Sequence, residues 1–219
     1  MSSKLSTFIC QNCGSETSQY FGRCLNCNSW NSIVEEIKSQ RSKYQDIKNS
    51  KKSIPFNEIS SKKISRFTSG FKEFDRVLGG GIVPGSVVLL GGEPGIGKST
   101  IVLQSAGKIS LNEKVLYITA EESLEQVKIR WERLNQNSID LQIFAETNLS
   151  IIIEEINRIN PSFAIIDSIQ AINNHEMQSS PGSVSQVREC SSELQNLAKE
   201  NNIAPVSYTH LTLPTNLSV

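Results

Sequence analysis

The chain lacks the features that mark membrane proteins, secreted proteins and strongly basic nucleic-acid binders. Its longest apolar runs, such as 86–90 and 151–153, are far shorter than the roughly 20 residues of a membrane-spanning helix. The first residues, MSSKLSTFICQNCG, contain no apolar core of signal-peptide length before Cys10. The 22 basic residues balance the 22 acidic ones, so no overall field draws the chain to nucleic acid. We therefore expect a cytoplasmic location, no membrane partner and reduced cysteines.

Length and composition indicate one sizeable globular domain with a small additional module. The 219 residues are 37% hydrophobic and 20% charged, which is typical of globular chains. We assign 1–37 to a zinc-ribbon-like module, 38–53 to a basic polar linker and 54–204 to an α/β domain. Between Lys38 and Arg66, nine basic residues stand against two acidic ones. This segment is interpreted either as a solvated linker or as an arm that faces phosphate groups.

Four of the five cysteines form two C-x2-C pairs that predict a zinc site. Each pair makes a tight turn that directs two thiolates at one point, and two such turns complete the tetrahedral site of four sulfurs that Zn²⁺ accepts. Four protein ligands leave no position for water, so a structural role is predicted, and so small a module needs the metal to fold. The predicted ligands are Cys10, Cys13, Cys24 and Cys27.

Other residues of the module have two interpretations each. Gly14 and Gly22 suit the unusual backbone angles that the turns need. Trp30 and Tyr20 are expected to form a local core around the zinc module, with stacking on nucleic-acid bases as the alternative. The fifth cysteine, Cys190, lies in a helical pattern and is expected to be a small buried residue.

The segment GGEPGIGKST, residues 91–100, matches the phosphate-binding loop G-x-x-x-x-G-K-[ST]. A strand that enters a glycine-rich turn and continues as a helix places backbone N–H groups around an anion. We expect Lys98 to bridge the β- and γ-phosphates, Ser99 to hold Mg²⁺ and Thr100 to lie near the α-phosphate. The predicted nucleotide-binding residues of this loop are Gly92, Glu93, Pro94, Gly95, Ile96, Gly97, Lys98, Ser99 and Thr100.

Strand and helix patterns alternate around and after this loop. A short helix that carries Phe71, Phe74, Val77 and Leu78 on one face is expected before it, capped by residues 68–70. The expected strands are 87–90, 115–120, 141–144 and 163–167. The expected helices are 98–109, 123–134, 150–160 and 184–199. The alternation predicts an α/β fold with a mainly parallel sheet covered by helices on both faces.

Acidic residues complete the predicted hydrolytic site. Asp167 ends the apolar strand FAIID and is the predicted carboxylate on the Mg²⁺ side, with an ordinary turn aspartate as the alternative. Glu121 and Glu122 follow a strand at the sheet edge where open α/β sheets bind ligands. We favour Glu121 as the base that activates water and Glu122 as an acid at a helix start, although both also suit the helix dipole. Arg130 is expected either near the nucleotide base or ribose or on the surface.

In this order the motifs resemble one family. TSGFKEFDRVLGGGIVPGS, GGEPGIGKST, EES, IIDSIQ and SSPGSVSQVREC follow a four-cysteine module. Together they are similar, over about residues 8–204, to the RadA (Sms) family of bacterial DNA repair proteins. The resemblance implies a RecA-like P-loop NTPase core that uses ATP and Mg²⁺. It also implies that Glu121 is the catalytic glutamate and that Asp167 takes the Walker-B role.

The resemblance further implies a function and partners. Such ATPases bind single-stranded or branched DNA, promote branch migration in homologous recombination, act beside a RecA-type recombinase and form hexameric rings. Segment 179–189 then corresponds to a loop and helix near the DNA path, with Gln186 and Arg188 as candidate contacts to DNA or a neighbouring subunit. A flexible loop that caps a helix is the alternative. For the whole chain, the alternative is a KaiC-like ATPase that acts on protein partners and docks through the zinc module.

The resemblance ends at Ala204. In the family the next strand continues as an apolar run, whereas PVSYTHLTLPTNLSV contains Pro205 and a polar alternation that suit a central strand badly. We predict that 205–219 is a non-native tail, encoded by a sequencing adapter up to about Thr215. The ATPase core would then be truncated, with an open sheet edge, weak ATP binding and almost no hydrolysis.

Overall fold

A computed structural model describes residues 6–37, 53, 55–58, 65–135, 138–201 and 203–210. The chain divides into two compact units, Met1–Ile64 and Ser65–Val219. The predicted domain start at residue 54 therefore precedes the observed division. Apart from Ser53, the predicted linker 38–53 lies outside the described residues. No helix in the described ranges combines the length and the apolar character needed to cross a membrane.

The first unit contains a small antiparallel sheet. Its strands are β1 (Ser6–Cys10), β2 (Glu16–Thr17) and β3 (Ile33–Ile37), in the order β2-β1-β3. The 3-10 turn Phe56–Glu58 also belongs to this unit. The buried cluster between the strands and the turns consists of Cys10, Cys24 and Ile33. The described residues of this unit therefore contain little apolar core.

The second unit is an α/β fold built on a five-stranded parallel sheet. Its elements, in chain order, are α1 (Lys72–Val77), β4 (Val88–Gly92), α2 (Lys98–Ile109), β5 (Val115–Thr119), α3 (Leu124–Arg133), β6 (Leu141–Ala145), α4 (Leu149–Ile159), β7 (Phe163–Asp167), α5 (Val184–Asn201) and β8 (Ala204–His210). The strand order is β4-β8-β7-β5-β6. The predicted α/β fold class is confirmed, and the helix and strand bounds differ from the expected ones by only a few residues.

Two apolar layers lie on the two faces of this sheet. All residues of β5 and β7 are buried, and their side chains alternate between the faces. One layer joins alternate residues of these strands to α2 and includes Val102, Leu103, Val115, Phe163 and Ile165. The other joins the intervening residues to α4 and α5 and includes Leu116, Ile152, Ile156, Ile166 and Leu194. The central strands read as continuous apolar runs because both of their faces are covered.

The segment before the P-loop is organised by an aspartate. The predicted cap at residues 68–70 is wrong, since α1 begins after Phe71 without a side-chain cap. Instead, the Asp75 carboxylate accepts hydrogen bonds from the Ser69 N–H at 2.8 Å and the Thr68 hydroxyl at 2.5 Å. Burial opposes ionisation, but these hydrogen bonds lower the pKa of Asp75. Val77 was expected on the apolar face but is 74% exposed.

Strand β8 continues past Ala204 into residues that were expected to suit a central strand badly. Residues 204–210 pair in parallel with both β7 and β4, so the expectation that this segment suits a central strand badly is wrong for its backbone. The ladder to β7 begins with the Ala204 N–H, which donates to the Ser162 carbonyl, whereas the ladder to β4 begins only at Val206. Pro205 therefore comes before the β4 ladder begins, where its missing N–H costs little. The proposed adapter origin of 205–219 stays a prediction, and 211–219 lie outside the described residues.

Candidate functional site

The four paired cysteines come together at one point in the first unit. Their sulfurs all lie within 4.8 Å of one another. The Cys10 and Cys27 sulfurs are 3.6 Å apart, as are those of Cys13 and Cys24. A tetrahedral Zn²⁺ with Zn–S bonds of 2.3 Å requires sulfur separations of about 3.8 Å. The donor set and its geometry therefore fit zinc, as the sequence predicted.

Both knuckles use the same turn, although with different residues at its end. Gly14 N–H donates to the Cys10 carbonyl at 2.8 Å, and Asn28 N–H donates to the Cys24 carbonyl at 3.0 Å. Both residues have a positive φ, 70° for Gly14 and 61° for Asn28. Asparagine tolerates this conformation better than most residues. The prediction that Gly22 supplies an unusual angle is wrong, because Asn28 takes that place in the second knuckle.

The turns also stabilise thiolates, which are the ligand form of cysteine. A backbone hydrogen bond from Cys27, helped by the Ser15 hydroxyl, lowers the pKa of Cys24 to about 5. Burial opposes ionisation of Cys13, but hydrogen bonds from Ser15 and Asn26 lower its pKa. Backbone and hydroxyl donors thus favour the thiolate form of these two ligands, Cys13 and Cys24.

Aromatic residues of the zinc unit lie on its surface. Trp30 is 71% exposed, and the Arg23 guanidinium lies 5.7 Å from its ring centroid. Tyr20 is 58% exposed and meets Phe8 edge-on, with 6.0 Å between the ring centroids. The expectation that Trp30 and Tyr20 form a local core is therefore wrong for most of their surface. Leu25 is also exposed.

The P-loop connects β4 to α2 with an exposed backbone. Gly97, the residue before α2, has a φ of 97°, a left-handed conformation that residues with a side chain rarely adopt. The Lys98 side chain is buried, and its Nζ donates to the carbonyls of Gly92 at 2.8 Å and Glu93 at 2.7 Å. An ammonium held at the centre of such a loop is available to exchange these carbonyls for phosphate oxygens. Ser99 and Thr100 follow in the first turn of α2.

Asp167 ends β7 and is 1% exposed. Its Oδ2 accepts a hydrogen bond from the Tyr117 hydroxyl, whereas its Oδ1 is buried without a hydrogen-bond partner among the described residues. Burial, with a smaller contribution from the charges of Glu121 and Glu122, raises the pKa of Asp167 to about 7 against the opposing Tyr117 hydrogen bond. A buried carboxylate oxygen without a donor is the kind of group that a divalent cation stabilises.

Two glutamates lie beside Asp167 at the carboxyl end of β5. The Ala120 N–H donates to the Asp167 carbonyl at 2.7 Å, which joins the ends of the two strands. The next residue, Glu121, is exposed and accepts a hydrogen bond from the Ser168 hydroxyl. Glu122 is largely buried and forms an ion pair with Arg130. The sheet thus brings Glu121 and Asp167 together, as a hydrolytic pair requires.

The ion pair settles where Arg130 points in this structure. Its guanidinium meets Glu122, and both side chains are about three-quarters buried, with exposures of 24% and 28%. Arg130 Nη1 and Glu122 Oε2 are buried without partners among the described residues. Arg130 is therefore not a surface charge, and it compensates an acid next to the candidate catalytic carboxylates.

Gln186 and Arg188 have opposite environments on α5. Gln186 is 1% exposed, and its Nε2 donates to the carbonyls of Asn174 at 3.1 Å and Ser179 at 3.0 Å. Its Oε1 accepts from the Asn174 N–H at 2.9 Å. Gln186 therefore binds the loop before α5 through three hydrogen bonds. Because its side chain is buried, it offers no surface for a direct DNA contact in this structure. Arg188 is exposed and keeps its place as a candidate contact.

Sequence reasoning missed two hydroxyl residues of this site, Tyr117 and Ser168. Tyr117 reads as an apolar core residue of VLYIT, and Ser168 as the residue after a strand. Both are fully buried, and each donates to a carboxylate of the candidate site. The signal that could have found Tyr117 is its hydroxyl within a mostly apolar buried strand, because a buried tyrosine hydroxyl needs a hydrogen-bond partner.

Comparisons with known proteins agree with these two sites. The family model of the rubredoxin metal-binding domain matches residues 8–35, which contain the four cysteines. The KaiC ATPase model matches residues 67–155, which contain the P-loop and Glu121. The ATPase unit therefore has the RecA-like fold of that group, and the first unit is a zinc ribbon.

The chain is also similar to longer curated proteins. It is 46% identical over 209 residues to DNA repair protein RadA of Listeria monocytogenes serovar 1/2a, covering 94% of this chain and 46% of that protein. It is 44% identical over 220 residues to RadA of Streptococcus pyogenes serotype M6, covering 97% and 48%. It is 42% identical over 219 residues to RadA of Bacillus subtilis strain 168, also covering 97% and 48%.

The matches cover nearly the whole of this chain but only part of each relative. The chain spans about half the length of the curated relatives it matches. The identity covers nearly all of the chain, including both the zinc ribbon and the KaiC-like ATPase match. On this basis, the chain belongs to the RadA family of DNA repair proteins.

Proposed function

We propose that this chain carries the zinc module and the catalytic core of a DNA-dependent ATPase of DNA repair. The observation that carries the proposal is the arrangement of three groups at the carboxyl ends of parallel strands. The P-loop follows β4, Glu121 follows β5 and Asp167 ends β7. Ligands of open α/β sheets bind at this edge. The repair process is taken from the name of the relatives.

Each residue of the site has a role in the proposed hydrolysis of ATP. Lys98 exchanges its two loop carbonyls for β- and γ-phosphate oxygens. Ser99 and Asp167 would hold Mg²⁺, which supplies neutralisation of phosphate charge when bound. Glu121 orients and deprotonates the attacking water once the Ser168 hydroxyl releases it. The ion pair with Arg130 balances the negative charge of Glu122, the second acid next to these residues.

For the whole protein we propose a finer function. It binds single-stranded or branched DNA in the cytoplasm, promotes branch migration beside a RecA-type recombinase and works as a ring, with hexamers as the expected size. The exposed Arg188 is the candidate DNA or inter-subunit contact on α5. Because the chain spans about half the length of its relatives, we propose that the 219 residues alone bind ATP weakly and hydrolyse almost none.

The test measures phosphate release by the protein translated from the uninterrupted genomic reading frame. Turnover is expected to rise with single-stranded DNA and to fall with added salt, because phosphate contacts release counterions. Lys98→Ala is expected to abolish turnover while the zinc content stays at one ion per chain. Turnover that responds to a protein and not to DNA would contradict the proposal. DNA-stimulated turnover at the full-length rate by the 219-residue chain would contradict the proposed weakness of this chain.

A second candidate function, docking of the zinc module on a protein, is favoured by charge. Residues 6–37 contain one basic residue, Arg23, and three acidic ones, Glu16, Glu35 and Glu36. A Zn²⁺ bound to four thiolates adds a formal charge of about −2. An acidic surface with exposed aromatic residues suits a protein partner better than a phosphate backbone.

Trp30→Ala separates docking from base stacking. If the module docks on protein, the variant keeps its zinc and its affinity for single-stranded DNA, since Trp30 is exposed and is not one of the four ligand cysteines. If Trp30 stacks on a base, DNA affinity falls by about 1–3 kcal/mol. The measurement is fluorescence anisotropy with a labelled oligonucleotide, with Tyr20→Ala as a second exposed aromatic substitution.

A further inference from the structure

We propose that Tyr117 is a positioning residue of the nucleotide site: its hydroxyl holds Asp167 Oδ2 and leaves Oδ1 for the Mg²⁺ side of the nucleotide. This inference rests on the proposed ATPase function. It goes beyond it because Tyr117 belongs to neither the P-loop nor the acidic residues of the site.

Strand register explains how the tyrosine reaches the aspartate. Tyr117 pairs with Ile165, and Thr119 pairs with Asp167. Side chains two residues apart on a strand share one face of the sheet, so Tyr117 and Asp167 are diagonal neighbours on one face. The Tyr117 side chain is 0% exposed and packs in the layer that contains Val115, Phe163 and Ile165. Its ring is held on all sides, which makes its hydroxyl a rigid donor.

The surroundings of Asp167 make this one donor important. Oδ2 accepts from Tyr117, and Oδ1 has no hydrogen-bond partner in the described part of the chain. The neighbouring Ser168 hydroxyl donates to Glu121 instead. Glu121 and Glu122 add negative charge near the carboxylate, and Arg130 adds positive charge. Without Tyr117, nothing in the described residues fixes which carboxylate oxygen faces the nucleotide.

The experiment measures how the melting temperature of the 219-residue chain depends on Mg²⁺ at millimolar ATP. A ligand that binds the folded state raises its stability, so a weak site is still visible at millimolar concentrations. Tyr117→Phe keeps the ring and removes the hydroxyl. The Mg²⁺ concentration at half-maximal stabilisation is expected to rise about tenfold, while stabilisation by ATP without Mg²⁺ stays the same. Ser105→Ala, which removes another buried hydroxyl from the same unit, is expected to leave both unchanged.

A double substitution tests whether Tyr117 acts through Asp167. Asp167→Asn keeps an oxygen that can accept the Tyr117 hydrogen bond but loses the charge that Mg²⁺ needs. In that background, Tyr117→Phe is expected to change the Mg²⁺ dependence no further. Circular dichroism checks that each variant is folded. If Tyr117→Phe itself unfolds, Asp167→Asn with Tyr117 intact must still lose the Mg²⁺ dependence; retention of it would overturn the inference.

The remaining outcomes separate the inference from the proposed function. A folded Tyr117→Phe chain with the wild-type Mg²⁺ midpoint would overturn the role of Tyr117 alone. So would a Tyr117→Phe effect that persists in the Asp167→Asn background. If the wild-type chain shows no stabilisation by millimolar ATP with Mg²⁺, the proposed nucleotide site fails in this chain, and the inference fails with it.

Discussion

Different kinds of interaction stabilise the interior of the zinc unit and the interior of the ATPase unit. In the zinc unit, the buried cluster is Cys10, Cys24 and Ile33, and four sulfurs meet within 4.8 Å. In the ATPase unit, two apolar layers cover both faces of a five-stranded parallel sheet. A segment too small to bury a core relies on a metal, whereas the larger unit relies on apolar burial. The two units should therefore respond to different perturbations.

The largest expected effect is the loss of a zinc ligand. Cys24→Ser should release the metal and unfold the zinc unit, because structural zinc contributes about 10 kcal/mol or more of folding free energy. Zinc content and far-UV circular dichroism measure this, and the thermal transition of the ATPase unit is expected to stay where it is. Cys190→Ala, a cysteine change in the buried core of the ATPase unit, is the matched control and should retain zinc. Full zinc occupancy in Cys24→Ser would contradict this account of the unit.

The reverse experiment removes core volume from the ATPase unit. Ile165 is 0% exposed in the central strand β7, so Ile165→Ala should lower the free energy of unfolding of this unit by about 2–5 kcal/mol. Urea denaturation measures the loss, while zinc content should be unchanged. Ile139→Ala, at a position that is 79% exposed, should change stability by less than about 0.5 kcal/mol. Equal effects at the two positions would refute the assignment of the core.

A smaller effect concerns the buried carboxyl group of Asp167 in the ATPase unit. Burial raises the pKa of Asp167 from 3.8 to about 7, so the folded state binds a proton more tightly than the unfolded state. Stability without Mg²⁺ should then fall as the pH rises from about 4 to about 7, and it should level off above that range. Asp167→Asn should remove this decline. Thermal melts across the range test it, and an unchanged pH profile in the variant would contradict the assignment to Asp167.

The smallest expected effect distinguishes two neighbouring positions of α5. Gln186→Ala removes three hydrogen bonds to the loop before the helix, so it should lower the free energy of opening this loop by about 1–3 kcal/mol. The loss should appear as faster amide exchange in residues 174–179. Arg188→Ala, on the exposed side, should leave stability within about 0.5 kcal/mol. Hydrogen exchange with mass spectrometry measures both. If the loop exchanged fast in Arg188→Ala and stayed protected in Gln186→Ala, the assignment of Gln186 as the residue that holds the loop would be wrong.

The sequence alone determined the features that depend on residues close together in the chain. The two C-x2-C pairs specified the zinc site, and GGEPGIGKST specified the loop between β4 and α2, because each is a local turn with its own backbone requirements. The alternation of apolar runs and amphipathic helices specified an α/β sheet. These predictions needed no knowledge of which strands become neighbours.

Tertiary structure decided what depends on distant residues meeting. Tyr117 and Asp167, separated by 50 positions, meet only because β5 and β7 are adjacent in this register. Gln186 is buried because the loop before α5 folds back over it, which no local pattern of polar residues reveals. The backbone of 204–210 is a central strand despite its polar sequence, since the ladders of β4 and β7 are there to receive it. Contacts between distant segments are set by packing and register, and neither can be read from neighbouring residues alone.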